Sequence, residues 1–291
     1  MSVAGDQFEA VRGRLFGLAY RMLGSRAEAE DVVQESYLRW HKADRDGIRS
    51  PEAWLVTTAT RLALDRLRAL RNQRETYQGS WLPEPFMSSE PPPPDRHLDL
   101  ASGLSVAFLV LLERLAPEER AAFLLHDVFD RDYDEIAATL GKSESACRQM
   151  VHRARARVRS DRKRFEVTEA AKATLLRRFT AAVEARDERT LLALIAPDAT
   201  WTADGGGRVP AARQPIVGVD RIVKLILGLE ERYFRGKGAF HLVSVNGETG
   251  LCMRAGGRVT SVMSIETDGE RILALYAQVN PDKLEGGPPD G

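Results

Sequence analysis

The chain has 291 residues, 42 Lys or Arg balanced by 42 Asp or Glu, 43% hydrophobic and 29% charged residues, the make-up of a soluble chain with room for two or three domains. Two cysteines, Cys147 and Cys252, exclude a disulfide framework and fit a reducing compartment, and no apolar run approaches the roughly 20 residues of a membrane span. Asp6 and Glu9 stand where an export signal would need apolar residues, and the five histidines at 41, 97, 126, 152 and 241 show no metal-ligand spacing, so a cytoplasmic location is expected, with no membrane partner, metal or cofactor.

Residues 8 to 75 read as helices. Phe8, Val11, Leu15, Leu18 and Met22 form one apolar stripe, Gly24 ends that helix, and Ser25 with Glu28 opens the next as a capping box. The helix from Ala27 to about Lys42 is expected to bury Val33, Tyr37 and Trp40. Its other side shows Glu30, Asp31, Gln34, Glu35 and Leu38, an acidic surface with an apolar residue in it that, taken alone, reads more readily as a solvated face. A third helix opens with Ser50 as cap and Pro51 at its first position. It carries Trp54 and then Arg61, Asp65, Arg66, Arg68, Arg71 and Arg74. An aromatic near the start of a basic helix suits single-stranded nucleic acid, where bases stack and phosphates meet Arg; a core tryptophan beside a solvated basic face fits the same residues.

Residues 76 to 99 hold little periodicity and are rich in proline, with four in a row at Pro91 to Pro94, so a stiff extended linker is expected. Trp81, Leu82 and Phe86 are costly to leave in water, which favours a linker anchored on another domain over a bare spacer. Beyond it, the uncharged run Leu100 to Leu112 reads as a core helix.

From Asp132 to Arg159 two short helical patterns are broken by one glycine. Asp132 with Glu135 caps the first, whose apolar face is Ile136, Ala137 and Leu140; Gly141 supplies the turn; Ser143 caps the second. On the second helix Ala146, Met150, Ala154 and Val158 face inward, while Arg148, His152, Arg155 and Arg159 share another face beside Gln149 and Arg153. This is the helix-turn-helix layout, whose second helix enters the major groove of DNA. Nine Lys or Arg against two acids between Lys142 and Arg164 concentrate charge in an otherwise neutral chain. Cys147, inside this helix, is expected to be a small half-buried thiol.

The run AEDVVQESYLRW, then AWLVTTATRLALDRLRALR, then this helix-turn-helix resembles the extracytoplasmic-function (ECF) sigma factors, the RNA polymerase subunits that select promoters with two regions, here a region 2 bundle and a region 4 helix-turn-helix. The resemblance implies core RNA polymerase and promoter DNA as partners and no chemistry of its own, hence no catalytic residues. It implies that Asp31, Gln34, Glu35 and Leu38 dock on polymerase, and that the loop Asp46 to Ala53 with Trp54 and Arg61 reads and opens the −10 element. Arg148, Gln149, His152 and Arg153 match the family's −35 readers. Arg can fork onto guanine and Gln onto adenine, while Arg155, Arg157, Arg159 and Arg162 suit phosphates, which give affinity without sequence reading.

After Phe165 the pattern turns to α+β. Helices are expected over Ala170 to Ala185, Arg189 to Ile195 and from a cap at Asp220 to Leu229. Strands are expected at Thr200 to Ala203, Ala239 to Val245, Gly250 to Arg254, Val259 to Thr267 and Ile272 to Val279, with Asn-Gly, Gly-Gly and Asp-Gly turns. This is similar to the SnoaL-like (NTF2-like) cone of a curved sheet wrapped by helices. Asp204, Gly205, Gly206, Gly207 and Arg208, read as a flexible loop, together with Asn280, Pro281, Asp282, Lys283 and Leu284, match two signatures of a sigma-factor subgroup with such a domain. Trp81, Leu82 and Pro83, followed by Glu84 and Pro85, match that subgroup's linker signature. The expectation is a multidomain chain: region 2 over 1–75, linker over 76–99, region 4 over 100–165, SnoaL-like domain over 168–285 and a tail over 286–291. The two motifs are expected to contact the sigma regions or the linker and so modulate them in cis. The fold also hosts small-molecule pockets, which makes a small-molecule ligand a further expectation. Asp204, His241 and Glu266 are acid–base candidates that no spacing ties together, and fold alone is no evidence of activity.

Overall fold

The structure, a computed structural model, describes residues 3–88, 105–160, 167–235 and 238–284. The Pro91–Pro94 run, the first residues of the 100–112 run, Arg162, the tail 286–291 and the side chains of Arg71 and Arg159 lie outside the described residues. Two compact units are distinguished, one from Met1–Glu75 with Leu109–Lys163 and the other from Thr76–Phe108 with Arg164–Gly291.

The first unit is all helical. It contains α1 (Val3–Leu23), α2 (Arg26–Lys42), α3 (Pro51–Glu75), the end of α4 (Val106–Glu113), α5 (Pro117–Asp127), α6 (Tyr133–Leu140) and α7 (Glu144–Ser160). The stripe of α1 is buried as its spacing requires, with Leu15, Leu18 and Met22 inaccessible to solvent. Gly24 takes a left-handed φ of 65° to end α1, and the Ser25 hydroxyl accepts from the Glu28 amide to start α2. Val33 and Trp40 of α2 are buried as expected. Tyr37 is not: 38% exposed, its ring leans on Phe8 at 4.9 Å and leaves one edge in solvent. One helical turn further along, Trp40 reaches the core because Trp54 of α3 packs against it at 5.4 Å.

Helices from both expected sigma regions fall in this unit, and buried charge ties them together. Glu113 at the end of α4 accepts from Arg120 of α5 at 2.7 Å and from Arg74 of α3, and Arg120 also donates to the Met22 carbonyl at 2.7 Å. Burial alone would push the Glu113 carboxyl up; Arg120 and Arg74 beside it outweigh that and hold it below the usual range.

The second unit is a seven-stranded sheet with helices α8 (Glu169–Glu184), α9 (Glu188–Leu194) and α10 (Val219–Leu229). Its strands are β1 (Met87–Ser88), β2 (Ile195–Asp204), β3 (Ile216–Val217), β4 (Ala239–Val245), β5 (Glu248–Ala255), β6 (Arg258–Thr267) and β7 (Ile272–Gln278), in the order β1-β4-β5-β6-β7-β2-β3. Leu176, Phe179, Leu191, Ile222, Val223 and Ile226 from the helices form one core with Trp201, Leu251, Ile265 and Leu275 from the sheet. Gly218, at φ 102°, stands at the cap position of α10, two residues earlier than the sequence suggests with Asp220.

Two features depart from a plain run of antiparallel strands. β2 runs parallel to β7, with Asp204 opposite Gln278. The edge strand β1 comes from the linker and pairs antiparallel with β4, Met87 opposite Val245. Phe86 extends this pairing: its carbonyl accepts from the Asn246 amide at 2.7 Å and its amide donates to Asn246 Oδ1 at 2.9 Å. The linker is therefore anchored, as its apolar residues suggest.

Candidate nucleic-acid interface and linker clamp

The helix-turn-helix forms as its local chemistry dictates. The Glu135 carboxylate accepts from the Asp132 amide at 3.2 Å to start α6; Gly141 closes it at φ 65°; the Ser143 hydroxyl accepts from the Ala146 amide to start α7. Met150, Ala154 and Val158 are buried, with Val151 and Cys147 fully so, which corrects the half-buried reading of Cys147. Burial pushes the Cys147 thiol up, away from a reactive thiolate.

Arg148, Gln149, His152 and Arg153 are all exposed on one side of α7, where with Arg155 and Tyr133 they line an open cleft of about 470 Å³. Sequence reasoning missed Tyr133 as a member: the Arg148 guanidinium lies over its ring at 5.0 Å. It also missed the carboxylates behind the helix. Arg155 grips Asp127 through Nε at 2.9 Å, and Glu119 of α5 holds both Arg153 Nε at 2.9 Å and Arg157 Nη1 at 2.6 Å. Arg155 and Arg157, read from the sequence as phosphate contacts, are thus also struts between α7 and α5. No local pattern couples residues 28 or more positions apart, so only the fold reveals them.

On α2 the side chains of Asp31 and Gln34 are exposed, Glu35 pairs with Arg39 at 2.8 Å, and Leu38 is a 42% exposed apolar residue among them. Trp54 is half-buried against Trp40. Arg61 donates through Nε to the Thr139 carbonyl at 2.9 Å and through Nη2 to the Ala138 carbonyl at 2.8 Å. These carbonyls belong to the last turn of α6, which has no helical donors for them and whose dipole favours a cation.

In the second unit the three sequence signatures meet at Asp204, a carboxylate with no solvent exposure. Its Oδ1 accepts from the Tyr77 hydroxyl at 2.6 Å and the Gly206 amide at 3.0 Å. Its Oδ2 accepts from the Leu82 amide at 2.9 Å, Lys283 Nζ at 2.8 Å and Gln278 Nε2 at 3.3 Å. Lys283 donates a second bond to the Leu82 carbonyl at 2.7 Å and lies 4.2 Å from the centre of the Trp81 ring. Asn280 reaches the Tyr77 hydroxyl at 3.0 Å, and Arg208 pairs with Asp282 at 3.0 Å across the surface. Leu82, Pro83 and Leu284 are buried around this network.

The glycines of the loop follow from this crowding. A Cβ on Gly205 would stand 2.4 Å from the Val209 carbonyl oxygen, and one on Gly206, at φ 60°, would stand 2.3 Å from Asn280 Nδ2. The loop read as flexible is instead packed, with its aspartate as the hub. Asp204, exposed His241 on β4 and half-buried Glu266 on β6 are not brought together as an acid–base set. Among the described residues no group of three or more His, Cys, Asp or Glu could hold a metal ion, and no helix is long and apolar enough to cross a membrane.

Two family descriptions match the chain: Sigma-70 region 2 over residues 7–73 and Sigma-70, region 4 over residues 105–158. The chain is 40% identical over 293 residues to the ECF RNA polymerase sigma factor SigJ of Mycobacterium tuberculosis, covering 97% of this chain and 94% of that protein. It is 30% identical over 281 residues to the probable ECF RNA polymerase sigma factor SigI of the same species, covering 96% and 93%. The crystal structure of M. tuberculosis SigJ superposes with a TM-score of 0.78 at 38% identity, covering 98% of this chain and 99% of that one.

Proposed function

The chain belongs to the ECF RNA polymerase sigma factors, which bind core polymerase and promoter DNA and start transcription at chosen sites without chemistry of their own, and from that premise we propose how its parts divide the work. Helix α7 reads the −35 element through Arg148, Gln149, His152 and Arg153. Trp54 and Arg61 of α3 serve the −10 element. The α2 face with Asp31, Gln34, Glu35 and Leu38 docks on polymerase. The C-terminal unit modulates these steps in cis by holding the linker. It acts in the cytoplasm, where polymerase and promoter meet, and a small-molecule ligand in the sheet is not needed for this reading.

The observation that carries the regulatory part is the Asp204 clamp. Linker residues 77 to 88 follow α3 directly, and they are tied to the sheet domain by the Tyr77 hydroxyl and the Leu82 amide on the Asp204 carboxylate, by Lys283 on the Leu82 carbonyl and by an added edge strand. Releasing these ties frees residues 77 to 88 from the sheet, so opening or closing the clamp changes how much of the chain between regions 2 and 4 is held. Run-off transcription with polymerase reconstituted from full-length chain, Asp204→Ala and a chain cut before residue 280 tests this. Both variants should change transcript yield in the same direction. Equal yield and equal polymerase affinity for all three would overturn the regulatory role, and failure of the full-length chain to associate with core polymerase would overturn the docking assignment.

A further inference from the structure

We propose that Glu119 is a positioning residue for −35 recognition: it aims Arg153 at a base edge by fixing one end of its guanidinium. The inference rests on α7 being the reading helix. Glu119 lies in the first turn of α5 and its side chain is 9% exposed, so its carboxylate is nearly shut off from water. Its two oxygens take one arginine each, Oε1 from Arg153 Nε at 2.9 Å and Oε2 from Arg157 Nη1 at 2.6 Å. The arginines sit one helical turn apart on α7, so a single carboxylate bridges both to the scaffold helix.

The two bonds have different consequences. Arg153 is held through Nε, which leaves the end edge of its guanidinium, one N–H from each terminal nitrogen, outside this bond as a fork that matches guanine O6 and N7. Arg157 is held through a terminal nitrogen, which breaks that fork and suits it to bracing or to a phosphate. Arg153 is also a lining residue of the cleft and Arg157 is not. A flexible side chain that is already oriented loses less freedom when it meets its base. Its negative charge, set against two arginines of α7, also lowers sequence-independent attraction, so Glu119 raises selectivity from both sides.

The test uses holoenzyme made with the full-length chain and a promoter library randomised at the −35 hexamer, selected by binding and sequenced. Wild type should select one or more defined bases. Glu119→Gln keeps an acceptor for the Ala116 amide that Glu119 also caps, at 3.4 Å, and removes the charge. It should cut the discrimination at the Arg153-dependent position by about tenfold while binding to non-cognate DNA is equal or stronger, with a salt slope steeper by about one. In an Arg153→Ala background the same Glu119→Gln change should alter discrimination no further, which a merely structural defect would not produce. Undiminished discrimination in Glu119→Gln, or an equal loss in the Arg153→Ala background, overturns the positioning role. A wild-type holoenzyme that selects no −35 bases overturns the reading of α7 itself.

Discussion

Replacing Asp204 with alanine is the sharpest probe of the linker clamp. The change removes the acceptor shared by the Tyr77 hydroxyl, the Leu82 and Gly206 amides, Gln278 and Lys283. Lys283, with a side chain only 15% exposed, loses its counter-charge but keeps the Leu82 carbonyl and the Trp81 ring. Breaking one side of a buried pair costs about 3–5 kcal/mol, and the contacts Lys283 retains place this case near the lower end. For a unit of this size that corresponds to a fall in Tm on the order of 10 °C. Asp204→Asn keeps the shape and one acceptor oxygen and should lose roughly half as much. Scanning calorimetry of the full chain gives the transition, and chymotryptic cleavage at Phe86–Met87 reports release of the linker. If Asp204→Ala melts within about 2 °C of wild type and is cut no faster, the buried hub does not hold the linker and the reasoning fails.

Gly206→Ala should cost about 1–3 kcal/mol in denaturant unfolding, since it must adopt φ 60° with its methyl against Asn280; a neutral result would mean the loop relaxes freely. Arg120 and Arg74 hold Glu113 below its ordinary pKa despite its burial, so its stabilisation is complete above the unfolded value of about 4.3 and is lost as pH falls through the lower folded value. The acid limb of stability should therefore flatten in Glu113→Gln, and an unchanged limb below about pH 4 would refute the assignment. Tyr77 has the opposite sign: burial, then the Asp204 carboxylate, push its hydroxyl up, so its contribution is intact below about pH 10 and fades above it. Tyr77→Phe should remove that alkaline loss and cost about 1 kcal/mol at neutral pH, read by chemical denaturation.

What was legible in the sequence was what local spacing encodes. The apolar stripe of α1, the capping residues Ser25, Ser50, Asp132 and Ser143, the left-handed glycines 24 and 141 and the hairpin turns after β4 and β5 depend on neighbours a few residues away, and each element forms close to where those residues put it. The linker's anchoring was legible because Trp81, Leu82 and Phe86 are costly in water. Its register on β4 was not, because a two-residue strand carries no periodicity. Likewise, Asp204 before three glycines has the local signature of a turn, and only the parallel pairing of β2 with β7 brings it beside Gln278, Asn280 and Lys283. Glu119 and Asp127 stayed hidden for the same reason: their partners are remote in the chain and adjacent in the fold.

That concealment alters the electrostatic argument about α7. Counted along the chain, the helix and its flank look like a dense cationic strip. In the fold, Arg148 faces Glu144, Arg155 faces Asp127, and Arg153 with Arg157 share Glu119, so four described arginines meet three carboxylates. Before any rearrangement these four arginines are largely offset by the three carboxylates, so they add little to sequence-independent attraction, which scales with the phosphates neutralised. On the proposed assignment, α7 gains little from these four arginines when it sits elsewhere on DNA and depends on correctly placed base contacts. Such a protein suits delivery to its site by polymerase, which supplies the non-specific grip that a stand-alone helix-turn-helix regulator would have to carry in its own charges.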